Sequence, residues 1–77
     1  MHIIIFKTNV FTPEHAGRIQ GILIAFPSIV QCNFDLDDCD RILRVVSTDL
    51  QSQRICQLLH AEGFSCEEME SFVYFMD

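Results

Sequence analysis

The stretch HIIIFKT, residues 2–8, is rich in β-branched and aromatic residues, and as a strand it would be apolar on both faces. This pattern predicts a strand in the middle of a sheet. A helix start follows at Thr12-Pro13-Glu14, because threonine caps free backbone N–H groups and proline suits the first helical position. Glu14 also lies near the positive end of the helix dipole. The sequence therefore predicts a central strand and then a helix that ends near Phe26, before Pro27.

Beyond this helix the hydrophobic pattern changes to a period of two. Val30, Cys32, Phe34 and Leu36 alternate with polar residues, which predicts a strand with one buried and one solvent-facing side. Residues 37–40 are expected to form a turn, and residues 42–46 the hairpin partner. A second helix should start near residue 49 or 52 and stop at residue 63, a glycine. Its predicted buried residues are Ile55, Leu58 and Leu59, and residues 64–70 complete a fourth strand.

The element order βαββαβ predicts an α+β, ferredoxin-like sandwich, in which one four-stranded antiparallel sheet carries both helices on one face. The expected strand order is 4-1-3-2, which places the doubly apolar first strand inside the sheet. A chain of 77 residues has room for one domain. We assign residues 1–70 to it and residues 71–77 to an apolar C-terminal tail.

Composition and the lack of known motifs disfavour several classes of function. The chain has a net charge of −6 and only five scattered Lys and Arg residues, which disfavours nucleic acid and anionic membranes as partners. No segment has the apolar length of a membrane span or an export signal, so we expect a cytoplasmic protein with reduced cysteines. No nucleophile–base pair or glycine-rich phosphate loop is present, so we do not expect an enzyme.

Five stretches carry a resemblance to a known family: FKTNV at 6–10, the helix from residue 16, residues 30–36 with their Asp-rich turn, LRV at 43–45, and LHAEGF at 59–64. Over residues 1 to about 70 the chain resembles the heavy-metal-associated (HMA) domains of copper chaperones and metal-pumping ATPases. The resemblance implies a metal loop, M-x-C-x-x-C, before the first helix. Here those positions hold Val10, Thr12 and His15, so the loop is degenerate and both thiolates are missing.

His15 is the one candidate metal ligand that this loop retains. The resemblance leaves open a Cu or Zn ion bound by His15 together with His2 or a partner's residue, although soft metals prefer thiolates. The interpretation we favour is a polar residue in the first turn of an exposed helix, with Thr12 and Glu14 acting as capping residues. We therefore predict no cofactor, with a Cu or Zn ion as the alternative.

The four cysteines and the Asp-rich turn have simpler explanations than metal binding. Cys32, Cys56 and Cys66 lie at or near apolar positions and are predicted to be buried and inert. Cys39 lies in the polar turn and should be exposed. The aspartates of this turn, at 35, 37, 38 and 40, lack the ligand set and glycine of a calcium loop, so a solvated hairpin tip is expected.

The open face of the sheet is the predicted functional surface. Alternation directs Ile4, Phe6, Leu43 and Val45 toward the helices, and therefore Ile3, Ile5, Ile42 and Val46 outward as one apolar patch. The tail adds Phe72 and Tyr74 and should extend strand 4, cross this face or pair with a second chain. We predict a non-catalytic interaction module with a protein partner or a homodimer. The alternatives are a Cu or Zn carrier using His15 and, by fold analogy, a small-molecule sensor.

Overall fold

The computed structural model describes residues 1–49 and 52–73. Three elements precede the central hairpin turn and three follow it, in the predicted βαββαβ order. Their bounds are β1 His2–Thr8, α1 Pro13–Ile24, β2 Ile29–Asp35, β3 Ile42–Ser47, α2 Ser52–Ala61 and β4 Cys66–Val73. The α+β, ferredoxin-like architecture is thereby confirmed.

The four strands form one antiparallel sheet in the order β2-β3-β1-β4. Counted from the opposite edge this is the predicted order 4-1-3-2, with β1 in an interior position. Ile4 lies opposite Val45 and Phe6 opposite Leu43. Directly opposed residues of an antiparallel pair project to the same face, so these four side chains form the sheet's contribution to the core. All four are fully buried, as the alternation predicted.

The core lies between this face of the sheet and the two helices. Helix α1 contributes Ala16, Ile19 and Leu23, and α2 contributes Ile55 and Leu59. The complete buried set forms one cluster: Ile4, Phe6, Val10, Ala16, Ile19, Leu23, Ile29, Leu43, Val45, Ile55 and Leu59. Since both helices cover the same side, the other side of the sheet stays uncovered within the described chain.

Several element boundaries differ from the sequence prediction by one to three residues, and three of these differences have a local cause. Helix α1 ends at Ile24, with Ala25 as its cap. The amides of Ala25 and Phe26 donate to carbonyls three residues earlier, as in a 3₁₀ turn, and not four residues earlier as in an α-helix. Strand β2 starts at Ile29, and a bulge between Ile29 and Gln31 shifts the register. The prediction that Val30 lies on the buried face is therefore wrong: Ile29 is buried in its place and Val30 is 49% exposed.

The fourth strand begins at Cys66, two residues later than predicted, because Phe64 takes part in the C-terminal cap that follows α2. Its amide donates to the carbonyl of Leu59 at 2.9 Å, and the amide of Gly63 donates to His60 at 3.0 Å. This pair of bonds is the Schellman arrangement, which requires a left-handed residue at Gly63. Gly63 has φ +91°, as its predicted capping role demands.

Gly63→Ala should lower the free energy of unfolding by about 1–2 kcal/mol, the cost of a Cβ in left-handed backbone. No atom lies within 4 Å of the added methyl group, so the loss is conformational rather than steric. The matched control is Gly21→Ala in α1, which is equally open and should gain about 0.5–1 kcal/mol from helix propensity. Urea unfolding measures both; destabilisation of equal size in the two variants would contradict the assigned cap.

Candidate functional site

The loop before α1, where the resemblance to HMA domains would place a metal loop, is held by its own backbone and core contacts. Val10 is fully buried, and its amide donates to Thr8 Oγ1 at 3.2 Å. Thr12 has extended backbone, φ −109° and ψ 145°, and its hydroxyl accepts from the amide of His15 at 3.2 Å. Thr12 is therefore the N-cap of α1 with Pro13 in the first turn, as the sequence predicted.

His15 projects from the first turn of α1 and is exposed. Its ring lies 5.2 Å from the ring of Phe64, centroid to centroid, and the planes are tilted by 58°. His2 lies at the far end of β1, roughly 20 Å from the end that leads into the loop, since a strand rises about 3.3 Å per residue. His2 therefore cannot share a metal ion with His15 within one chain. A buried valine, a capping hydroxyl and a single imidazole do not fit a soft metal ion.

Within the described part of the chain, one group of three potential donors lies close together: Asp38, Cys39 and Asp40, whose ligand atoms are within 4.8 Å of one another. The carboxylate of Asp38 accepts from the amide of Asp40 at 2.8 Å. The carboxylate of Asp40 lies 3.6 Å from Lys7 Nζ. The Asp38 carboxylate therefore stabilises the β2–β3 turn and the Asp40 carboxylate pairs with Lys7 of β1, which accounts for their proximity without an ion.

The open face of the sheet is organised as rows that run across the strands. One row is apolar over three neighbouring strands, because Ile3 of β1 lies opposite both Val46 of β3 and Phe72 of β4. Adjacent strands are about 4.8 Å apart, so these side chains contact one another across the sheet. Phe72 is 50% exposed. Ile3 and Val46 are half-buried, and no element among residues 1–49 and 52–73 covers the row.

The next two rows mix apolar and charged residues. Ile5 lies between Arg44 of β3 and Glu70 of β4, and Lys7 lies between Ile42 and Glu67. Asp35 extends the Lys7 row on β2, opposite Ile42. Ile42 and Val46, each two residues from Arg44 on β3, are the diagonal neighbours of Ile5 on this face. The predicted outward residues Ile3, Ile5, Ile42 and Val46 thus share this face, with two cations and three carboxylates interleaved.

The C-terminal tail is partly included in the sheet. Residues 71–73 continue β4, with Phe72 opposite Ile3 and Val73 opposite His2. This placement is an extension of strand 4, one of the arrangements considered from the sequence. Tyr74, also predicted to belong to the interface, and residues 75–77 lie outside the described residues.

Sequence reasoning missed the pairing of two cysteines. Cys56 of α2 and Cys66 of β4 are half-buried against the core, and their Sγ atoms lie 3.2 Å apart. Each was predicted to be a separate, inert apolar residue. A spacing of ten residues has no recognised motif, because the approach depends on how α2 packs on β4. In the sequence, only their positions in apolar patterns indicated that both side chains point toward the same core.

Comparisons of this chain with protein-family models, curated proteins and solved structures gave no match. The resemblance to HMA domains therefore stays a prediction from the sequence. Among the described residues, no helix has the length and apolar character needed to cross a membrane.

Proposed function

We propose that this chain is a non-catalytic, HMA-like interaction module whose open sheet face binds a second copy of the chain. The observation that carries the proposal is the apolar row Val46–Ile3–Phe72, which crosses three strands on the side away from both helices. Exposed apolar surface of this continuity on a small domain is typical of an interface.

The charges of the open face favour a second copy over a strongly charged partner. Lys7 and Arg44 face Asp35, Glu67 and Glu70 across the rows of the sheet, so cations and carboxylates nearly balance here. The whole chain carries −6, and most of that excess lies elsewhere on the surface. A two-fold pairing of identical faces is self-complementary when both signs are present. Repulsion between copies is therefore small on this face.

The size of the face sets the expected affinity. Four strands of six to eight residues cover roughly 19 by 20 Å, which is less than the ~800 Å² per partner of a standard stable interface. We therefore expect a weak dimer, with a dissociation constant in roughly the micromolar range or above.

Ile3→Lys should raise the dimer dissociation constant at least about tenfold, because it places a desolvated charge in the middle of the apolar row. Sedimentation equilibrium over a range of protein concentrations measures the change. The matched control is Ile24→Lys on α1, which substitutes an isoleucine that is 52% exposed on the helical side and should leave association unchanged. Circular dichroism verifies that both variants fold.

Two outcomes would contradict the proposal. A natural chain that stays monomeric at the highest attainable concentration would exclude a second copy as the partner. Equal dissociation in Ile3→Lys and Ile24→Lys would move the interface away from the open face.

A further inference from the structure

The thiols of Cys56 and Cys66 meet at the junction of α2 and β4. Cys56 follows buried Ile55 on α2, and Cys66 is the first residue of β4, opposite Thr8. Their Sγ atoms are 3.2 Å apart and in hydrogen-bond contact. Both side chains are half-buried, so the pair is held by packing and is still accessible to a small molecule.

A small movement of the two sulfurs would allow a disulfide bond to form. A disulfide has an S–S length of about 2.05 Å, so the two sulfurs need to approach by roughly 1.2 Å. Cys66 adjoins the connection between α2 and β4, residues 62–65, none of which belongs to the fully buried core cluster. The pair therefore satisfies the main requirement for disulfide formation, which is proximity in the folded state.

We propose that Cys56 and Cys66 form a reversible disulfide in exchange with small-molecule disulfides such as oxidised glutathione. In the first step the Cys56 thiolate attacks one sulfur of the oxidant, forms a mixed disulfide and releases one glutathione thiolate. In the second step Cys66 loses its proton to solvent and attacks the Cys56 sulfur, releasing the second glutathione thiolate. The protein thiols lose two electrons, and the oxidant gains them as two glutathione thiols.

The order of the two steps follows from the surroundings of Cys66. Burial raises the pKa of Cys66, and the adjacent Cys56 sulfur raises it further as a hydrogen-bond partner and as a like charge. A raised pKa disfavours the Cys66 thiolate, so we assign the first attack to Cys56 and the resolving step to Cys66.

Two cysteines in contact also suit a soft metal ion, and the structure favours the disulfide. No third donor in the described chain joins the pair in a cluster of metal ligands, so zinc would lack the four ligands that it prefers. The two sulfurs are in direct contact at 3.2 Å, with no other ligand atom between them in the described chain. A chelator in the assay removes any contribution from adventitious metal.

The reduced full-length chain is equilibrated in glutathione redox buffers with a chelator, alkylated, digested with trypsin and analysed by mass spectrometry. Cleavage after Arg18, Arg41 and Arg54 separates the four cysteines into two peptides. Peptide 55–77 contains Cys56 and Cys66, and peptide 19–41 contains Cys32 and Cys39 as an internal control. We expect peptide 55–77 to lose two hydrogens while peptide 19–41 stays fully alkylated, and dithiothreitol to reverse the change.

The equilibrium constant for oxidation of the pair should fall about a hundredfold when the chain is unfolded in urea, matching the stabilisation that a short disulfide loop gives. Oxidation should raise the Tm by roughly 10 °C, and this rise should be absent in Cys56→Ser. The double variant Cys32→Ser/Cys39→Ser should retain both effects. Full alkylation of peptide 55–77 in the most oxidising buffer, equal oxidation of both peptides, or an oxidation constant unchanged by urea would overturn the proposal.

Discussion

In a parent chain with Cys56→Ser and Cys66→Ser, which removes the other pair of contacting thiols, the double variant Thr12→Cys/His15→Cys should bind one Cu(I) ion about a thousandfold more tightly than that parent, a gain of ~4 kcal/mol. It places two thiols at the N-cap and in the first turn of α1, where the amide of His15 already points at the Thr12 side chain. The helix N-terminus lowers thiol pKa, and soft thiolates are the preferred ligands of Cu(I). Competition against a chromophoric Cu(I) chelator measures the affinity.

The controls separate the loop from the four natural cysteines. Cys56 and Cys66 are serine in every variant of this series, Cys32 and Cys39 remain in all of them, and the single variants Thr12→Cys and His15→Cys should stay near the parent. His15→Ala should also match the natural chain, because one imidazole gives little affinity for a soft ion. Loss of the Thr12 cap costs about 1 kcal/mol, so the double variant should stay folded.

If the double variant binds Cu(I) no more tightly than its single variants, the resemblance of this loop to the HMA metal loop is contradicted. Conversely, if His15→Ala abolishes Cu(I) binding by the natural chain, the result would support the alternative function, a metal carrier whose site includes His15. Either result is independent of the dimer experiment, because the loop lies at the N-terminus of α1 and the apolar row lies on the other side of the sheet.

The parts of the fold that could be predicted depend on local patterns. The alternation of β1 correctly assigned Ile4 and Phe6 to the core and Ile3 and Ile5 to the open face, because side chains alternate along a strand. Thr12 and Gly63 acted as predicted, since each has a specific backbone role at a helix end.

The parts that could not be predicted depend on register and packing. A bulge adds one residue to a strand without a characteristic sequence, and two bulges altered the pairing, at Val30 and at Met69. The second lies between Glu70 and Glu68, opposite Ile5 and Phe6, and determines which acidic residues join the open face. The approach of Cys56 to Cys66 likewise depends on the packing of a helix against a strand.

Phe6→Ala should destabilise the chain by about 3–5 kcal/mol, the usual loss for a buried phenylalanine. Phe6 is fully buried in the central strand, opposite Leu43, and is among the largest fully buried side chains. A chain of 77 residues has a total stability of roughly 4–12 kcal/mol. The substitution therefore removes a large share of the stability, and the urea midpoint should fall sharply or no folded baseline should remain.

Phe11→Ala is the matched control, because it deletes the same side chain where it is 63% exposed. Surface substitutions of this kind change stability by about 0.5 kcal/mol or less. Similar midpoints for the two variants would contradict the assignment of Phe6 to the core. Because Ile5 and Phe6 are consecutive on β1, they face opposite sides of the sheet. A large loss in Phe6→Ala alone would therefore also support the outward placement of Ile3 and Ile5 on which the proposed interface depends.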